Sequence, residues 1–300
     1  MFDYAHLEAL ATVVRTGSFE RAAKQLHVTA SAISQRIKRL EDRVGTVLVV
    51  RGQPCEGTET GLLLCQHLEK VALLEGDVRR TLPGHMQAPG QFVPIRIAIN
   101  ADSLATWFVD AMAGMTDVLF DIVLDDQDYS EEWLRRGEVA GAVTSRGPSV
   151  QGCDSKPIGS LRYFATASPD FMERWFPDGH LTVETLMGAP CIIFNQKDQL
   201  QNRWLKTVFG QDFSPPVHWL PSSTAFVEAA IAGVGWGMNP EILVAEHVTA
   251  GRLVTLLPDQ PLDVPLYWQT SRNAGPTLSL ISEAVLAAGR AALRRSSDPV

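Results

Sequence analysis

SFERAAKQLHVTASAISQRIKRLEDRVG, residues 18–45, decides how this chain reads. Ser18 is a natural N-cap, and Phe19, Ala22, Ala23 and Leu26 follow it at the spacing of one helical face. The paired alanines let a neighbouring helix approach closely. His27-Val28 has room only for a turn, and Thr29 is placed to cap a further helix. In that helix Ile33, Ile37, Leu40 and Val44 share the buried side, and Gly45 stops it. At about 100° per residue, Ser31, Ser34, Gln35, Lys38 and Arg39 fall on the side opposite Ile33. Two helices joined by a tight turn, the second rich in Ser, Gln, Lys and Arg, form a helix-turn-helix pattern.

Outward from this stretch, Leu7, Leu10, Ala11 and Val14 predict a preceding helix that Thr16-Gly17 ends. Downstream, Val47–Val50 and Glu56–Thr58 read as short strands around Gly52-Gln53-Pro54, a wing. A long helix follows from Thr60. Its Leu64, Leu68, Val71, Leu74 and Val78 step by 4, 3, 3 and 4, the rhythm of a coiled coil. Dimerisation through this stripe is the favoured reading, and packing on its own domain is the alternative. Pro83-Gly84 closes the helix, and residues 84–93, with Pro89 and Gly90, read as a hinge.

A chain of 300 residues with 45% hydrophobic and 20% charged residues predicts more than one packed globular domain. The net charge of −8 argues against a polyanion partner until its distribution is considered. Arg15 to Arg51 holds eight basic and three acidic residues, so this window carries +5 while the remainder sums to −13. The first residues lack a basic-then-apolar leader, and no apolar run reaches the ~18–20 residues of a membrane span, so a cytoplasmic protein is expected. Cys55, Cys65, Cys153 and Cys191 have no metal or redox spacing, and the seven histidines are scattered, so neither a metal nor a cofactor is expected. Cys153 and Cys191 leave thiol sensing as a rival reading. An α/β enzyme is another: Gly233-Val234-Gly235-Trp236-Gly237-Met238 hints at a dinucleotide loop, but it lacks the third glycine and precedes its strand.

From Ile95 onward, strands and helices alternate: Ile95–Ile99, Phe120–Leu124, Glu131–Arg136, Val139–Thr144, Arg162–Ala167, Cys191–Phe194, Ala225–Ala232, Val234–Asn239, Pro265–Trp268 and Leu278–Arg290. This predicts an α/β sandwich with largely parallel sheets. The whole is an α+β multidomain protein. Residues 1–59 read as a winged helix-turn-helix, 60–91 as a linker helix and hinge, and 92–300 as an α/β domain.

Gln35 suits adenine in the major groove, and Ser31 and Ser34 are small donors and acceptors in the half of the helix that enters it. Arg36, Lys38 and Arg39 suit phosphates, and Arg51 would act from the wing. Ser18, Arg21, Thr29 and Ala30, around the turn, complete the DNA-facing set. A solvated basic face on a helical bundle is the alternative, and the tight turn and segregated charge weigh against it.

Residues 4–62 resemble the LysR-type regulators. The shared features are Ala22, Ala23 and Leu26, the Val28-Thr29 turn, Ser31, Ala32 and Ser34, the ending Leu40, Glu41 and Gly45, and Thr58-Glu59-Thr60-Gly61. The chain departs from the pattern at Ala30, where many relatives carry Gln or Pro, and in its wing. The resemblance implies a homodimer through residues 60–82, further assembly to a homotetramer, double-stranded operator DNA as partner, and RNA polymerase as a further one. It also implies a two-lobed domain like periplasmic solute-binding proteins, with lobes at 92–163 plus 266–300 and at 164–265. In such a domain ligands sit where strand ends meet helix starts. Three segments fit: Asn100, Asp102, Ser103, Thr106 and Trp107; Thr144-Ser145; and Ser222, Ser223 and Thr224. Helix capping alone would also explain many of these residue types. NADSLATW (100–107), LRRGEVAGAV (134–143), SSTAFVEAA (222–230) and LYW (266–268) resemble the ArgP/LysG/IciA branch of the family, which senses lysine and arginine and controls basic amino-acid export and metabolism. A cationic amino acid needs carboxylate partners, and Asp102, Asp125, Asp126 and Asp128 are the candidates.

Overall fold

Helix boundaries in the first domain follow from capping side chains. The computed structural model describes residues 2–81, 94–116, 118–124, 130–135, 138–272 and 275–295. Asp3 accepts from the Ala5 amide and starts α1 (Tyr4–Thr16), which Gly17 ends at φ 65°. Ser18 Oγ accepts from the Arg21 amide and starts α2 (Phe19–Gln25). Thr29 Oγ1 accepts from the Ala32 amide and starts α3 (Ala30–Val44), which Gly45 ends at φ 82°. These caps satisfy donors and acceptors that a helix leaves open at its ends. Leu7, Leu10 and Val13 of α1 are buried with Ala22, Ile33, Ile37 and Leu40. The buried face of α1 is centred on Val13 rather than on Ala11 and Val14, which are half-buried. The cause is that α1 is packed by α2, α3 and the following long helix together.

The wing strands β1 (Val49–Val50) and β2 (Glu56–Gly57) pair antiparallel, with Val49 opposite Gly57. They are shorter than the sequence predicts. Thr58 instead ties the wing base, its hydroxyl donating to the Val47 carbonyl and its amide to that of Leu48. The long helix α4 (Glu59–Thr81) starts where Thr58 Oγ1 accepts from the Gly61 amide. Its apolar stripe divides. Leu64 is buried in the winged-helix core and Leu68 packs against it. Farther along, Leu74 and Val78 are 49% and 56% exposed, as is Leu63 at 62%.

The second domain runs β3 (Pro94–Ile99), α5 (Ala101–Ser103), a π-helical turn (Leu104–Phe108), α6 (Val109–Ala113), β4 (Leu119–Leu124), α7 (Ser130–Arg135), β5 (Gly141–Thr144) and β6 (Cys153–Ala167). It continues through α8 (Pro169–Trp175), α9 (Val183–Gly188), β7 (Cys191–Ile193), α10 (Leu200–Phe209), β8 (Val217–Trp219) and α11 (Ser223–Ile231). The last elements are β9 (Gly237–Pro240), α12 (Glu241–Thr249), β10 (Val254–Thr255), β11 (Leu262–Ser271) and α13 (Gly275–Ala292). The main sheet has the order β10-β6-β11-β5-β3-β4, with β9 also on β6.

Among the described strands, parallel pairing joins β3 to β4 and β5 and β7 to β8, with one isolated parallel bridge between Cys191 and Trp236. The expectation of largely parallel sheets is therefore corrected: β6 and β11 are long and antiparallel to all their neighbours. They lie side by side within the main sheet. Their register shifts between Leu266 and Tyr267, opposite Gly159. Gly159 has φ 149°, and a Cβ there would collide with the Arg294 carbonyl and Leu293. Trp107, Trp204, Trp236 and Trp268 are fully buried in the core beside this sheet. No described helix is long and apolar enough to cross a membrane.

Removing a buried side chain from α3 should unfold the first domain selectively. Ile37→Ala is expected to cost about 2–5 kcal/mol. The check is an earlier urea transition, with Arg39→Ala on the exposed face staying within about 0.5 kcal/mol of wild type.

Candidate nucleic-acid interface and ligand cleft

The exposed side of α3 faces the wing across two connected concavities of about 680 and 690 Å³. Ser31, Ser34 and Arg51 border both, Arg21 and Ala30 border the first, and Gln35 and Lys38 the second. The Arg51 guanidinium stacks 5.2 Å from the Phe19 ring centroid, which holds it over the start of α2. Glu41 of α3 accepts from the Leu48 amide at 2.9 Å and fixes the wing against the helix. Not every candidate is free to act. Ser18 is committed to its cap and donates to Glu20, and Thr29 is committed to the Ala32 amide. The Ser18 hydroxyl and its own backbone amide hold the Glu20 carboxyl below the ordinary range. Arg36 and Arg39 border neither concavity.

In the second domain Asp102 sits one residue into α5, at the carboxyl end of β3. Its Oδ2 accepts from the Tyr163 hydroxyl at 2.9 Å and its Oδ1 from the Ser223 hydroxyl at 2.7 Å. Tyr163 lies in β6 and Ser223 opens α11, so one carboxylate joins three elements distant in sequence. Beside it is a cavity of about 20 Å³, bordered by Asp102, Phe194, Asp198, Ser223, Met238 and Asn239. Asp198 accepts from the Phe194 and Leu200 amides at 3.1 and 2.9 Å. Asn239 is 1% exposed and donates to Thr166 Oγ1 at 2.9 Å, while its Oδ1 has no partner among the described residues. Two carboxylates and buried hydroxyl and amide groups around one small space favour a cation with hydrogen-bonding hydrogens.

Of the residues read from the sequence, Asp102 and Ser223 meet here, with Asn100 buried at the end of β3. Ser103 and Trp107 are fully buried on the helix behind them, where Ser103 Oγ and Trp107 Nε1 have no partner among the described residues. The wider π turn directs Trp107 and its neighbour Phe108 both into the core. Thr106 bonds back to the Asp102 carbonyl. Thr144 does not face the cavity: it is buried, donating to the Arg146 carbonyl and accepting from Gln269. Ser222 caps α11, and Thr224 is exposed outside the cavity. Asp125, Asp126 and Asp128 lie outside the described residues, as does the hinge at 84–93. Sequence reasoning missed Asp198, Asn239 and Tyr163. Asp198 carried a usable signal, an acid just past the strand Cys191–Ile193, by the strand-end rule that found Asp102.

The cysteines are free thiols, and Cys153 and Cys191 pack in different clusters. Burial pushes the thiols of Cys65 and Cys191 up to about 12 and raises that of Cys153. A redox sensor needs the opposite shift. Among the described residues no cluster of three groups could hold a metal ion.

Known proteins share both halves. Residues 4–62 match the bacterial regulatory helix-turn-helix protein, lysR family, and residues 94–290 match the LysR substrate binding domain. The HTH-type transcriptional regulator ArgP of Pseudomonas fluorescens is 44% identical over 286 residues, covering 94% of this chain and 95% of the relative. The crystal structure of ArgP from Mycobacterium tuberculosis superposes with a TM-score of 0.83 at 42% identity, over 99% of this chain and 100% of that one. Full-length LysG from Corynebacterium glutamicum with bound effector Arg gives 0.72 at 36% identity, over 98% and 100%.

Proposed function

This chain belongs to the LysR family of bacterial transcription regulators, and from that premise we propose that it grips operator DNA as a homodimer and answers to a basic amino acid, arginine or lysine, held between Asp102 and Asp198. It is a regulator and not an enzyme, of the ArgP/LysG kind. It acts in the cytoplasm, where its DNA is, on genes for basic amino-acid export or metabolism.

The observation that carries the effector reading is the shared cavity of Asp102, Asp198, Ser223 and Asn239. An amino acid with a cationic side chain brings two positive groups and one negative group. The two carboxylates take the α-ammonium and the side-chain cation, and Asn239 Oδ1 accepts a further N–H. Ser103 Oγ and the start of α11 suit the ligand carboxylate. A space of about 20 Å³ holds about one water, so an amino acid enters only when Asp102 and Ser223 separate. That the C. glutamicum relative holds arginine supports the same chemistry here.

On the DNA side, Gln35 and Ser34 read bases from the major groove, and Lys38, Arg21 and Arg51 grip phosphates beside them. The exposed apolar residues Leu63, Leu74 and Val78 of α4 form the dimer seam, in place of Leu64, which the winged helix buries, and Leu68, which packs against its core.

Four measurements test this function. Arginine and lysine should each raise the thermal midpoint of the full-length protein, with up to ~2.7 kcal/mol of stabilisation at a hundredfold excess over Kd. Citrulline, the uncharged isostere of arginine, should not. Asp198→Asn should weaken arginine binding about tenfold or more. A shift from citrulline equal to that from arginine would remove charge recognition. Gln35→Ala should lose affinity for a specific site but not for random DNA, whereas Lys38→Ala should weaken both and reduce the salt slope by about 1. Leu74→Asp with Val78→Asp should sediment as a monomer, and a persisting dimer would exclude the seam.

A further inference from the structure

The carboxylate of Asp77, near the end of α4, lies against the first turn of α13. Its Oδ1 accepts from the Thr277 amide at 3.3 Å and also from the Thr277 hydroxyl. Asp77 is 9% exposed. A carboxylate at a helix start meets unsatisfied N–H groups and the positive end of the helix dipole. Gly275, which opens α13 at φ 75°, leaves room for it, since a Cβ at that position would collide with the Asp77 carboxylate.

Asp77 is the last of a stripe spaced by four residues. Leu73 packs against the core of the second domain. Glu69 lies within electrostatic reach of Arg96 in β3 and of Arg15 in α1. One end of α4 is buried in the winged-helix core through Leu64, and the other is docked on the ligand domain. At ~1.5 Å per residue, a helix of 23 residues bridges the two over roughly 35 Å.

The helix that receives this carboxylate is set against the cleft. Leu278, Ile281 and Val285 of α13 lie in the same core as Trp107 and Phe108, and α13 packs on the π turn, α6, β6 and β11. Trp268 of β11 donates to Ser282 of α13 at 2.9 Å. The π turn begins two residues after Asp102. Asp102 and the surface on which α13 rests are therefore parts of one short segment.

We propose that the Asp77–Thr277 contact is the joint through which the state of the cleft reaches the linker helix and, through it, the DNA-binding heads. The proposal rests on the amino-acid reading above. It requires that breaking the joint uncouple ligand binding from the linker without abolishing ligand binding. A bond that only stabilised the fold would lower the thermal midpoint and leave the coupling intact.

The test uses the full-length protein, arginine as ligand, and amide hydrogen exchange as readout. In wild type, arginine should change exchange across α4 (Glu59–Thr81). In Asp77→Ala and Thr277→Val that change should be lost, while arginine still raises the thermal midpoint with a Kd within about threefold of wild type. Thr277→Ser, which keeps the hydroxyl, should retain the response. The double variant Asp77→Ala/Thr277→Val should behave like either single one. An α4 response preserved in both single variants, or absent from wild type that binds arginine, overturns the joint. Wild type that binds neither arginine nor lysine overturns the amino-acid reading instead. The docking is then judged without ligand: Asp77→Ala must speed exchange at the first turn of α13 about tenfold, and unchanged exchange there overturns it.

Discussion

Helix α4 has a limited circumference, and nearly all of it is in use. One side fills the winged-helix core with Leu64, a second meets the ligand domain through Leu73 and Asp77, and a third leaves Leu63, Leu74 and Val78 in solvent. In a straight helix these stripes hold fixed angles to one another, so placing any two constrains the third. The orientation of the DNA-binding heads is thus tied to how α4 sits on the ligand domain. This explains why an apolar stripe that looks continuous in sequence serves two purposes along its length.

The proposed ligand would bias such a placement through the cleft. Asp102 is bonded by Tyr163 on one side and Ser223 on the other, so its charge is stabilised in the closed arrangement without a ligand. A ligand shifts the equilibrium only by the difference in its affinity for the open and closed forms. A cationic amino acid supplies that difference. Its side-chain cation replaces a neutral hydroxyl donor with a charged one, and hydrogen bonds to charged groups are worth roughly twice as much as neutral ones. With the proposed ligand, the Asp102–Ser223 bond sets a modest threshold: a neutral side chain gains little by breaking it, and a cationic one gains enough to hold the cleft in another state.

The first domain was legible because its determinants are local. Ser18, Thr29 and Gly45 mark helix ends through bonds spanning three or four residues, and Ile33, Ile37 and Leu40 keep the helical period. The second domain was legible only in its elements. Alternation of strands and helices foretold an α/β fold but not the direction of pairing, which depends on β6 and β11. The early part of β6 contains Lys156, Pro157 and Gly159, the sequence signals a strand only from Arg162, and its partner lies about a hundred residues away. The cleft was half legible for the same reason. Asp102 and Ser223 stand at helix starts, where sequence rules look, whereas Tyr163 sits mid-strand and Asn239 is a buried polar residue that only tertiary packing brings to the cavity. Asp77 is one acid among several on a long helix, and nothing near it in sequence points to Thr277.

Charge segregation gives the two domains opposite long-range behaviour toward DNA. The window Arg15–Arg51 carries +5 and the rest of the chain −13. The acidic remainder is repelled by the phosphate backbone, so approach is productive only when α3 and the wing lead. One such island makes few phosphate contacts and gives weak, salt-sensitive binding. In the proposed dimer, the seam on α4 joins two islands on one rigid frame, and the second then binds at a high effective concentration. That gain survives only while both recognition helices keep the spacing of successive major grooves. In that proposed arrangement α4 sets the spacing, so a small change in its seat on the ligand domain has a large effect on DNA affinity, with no contact to DNA made or broken by the ligand itself.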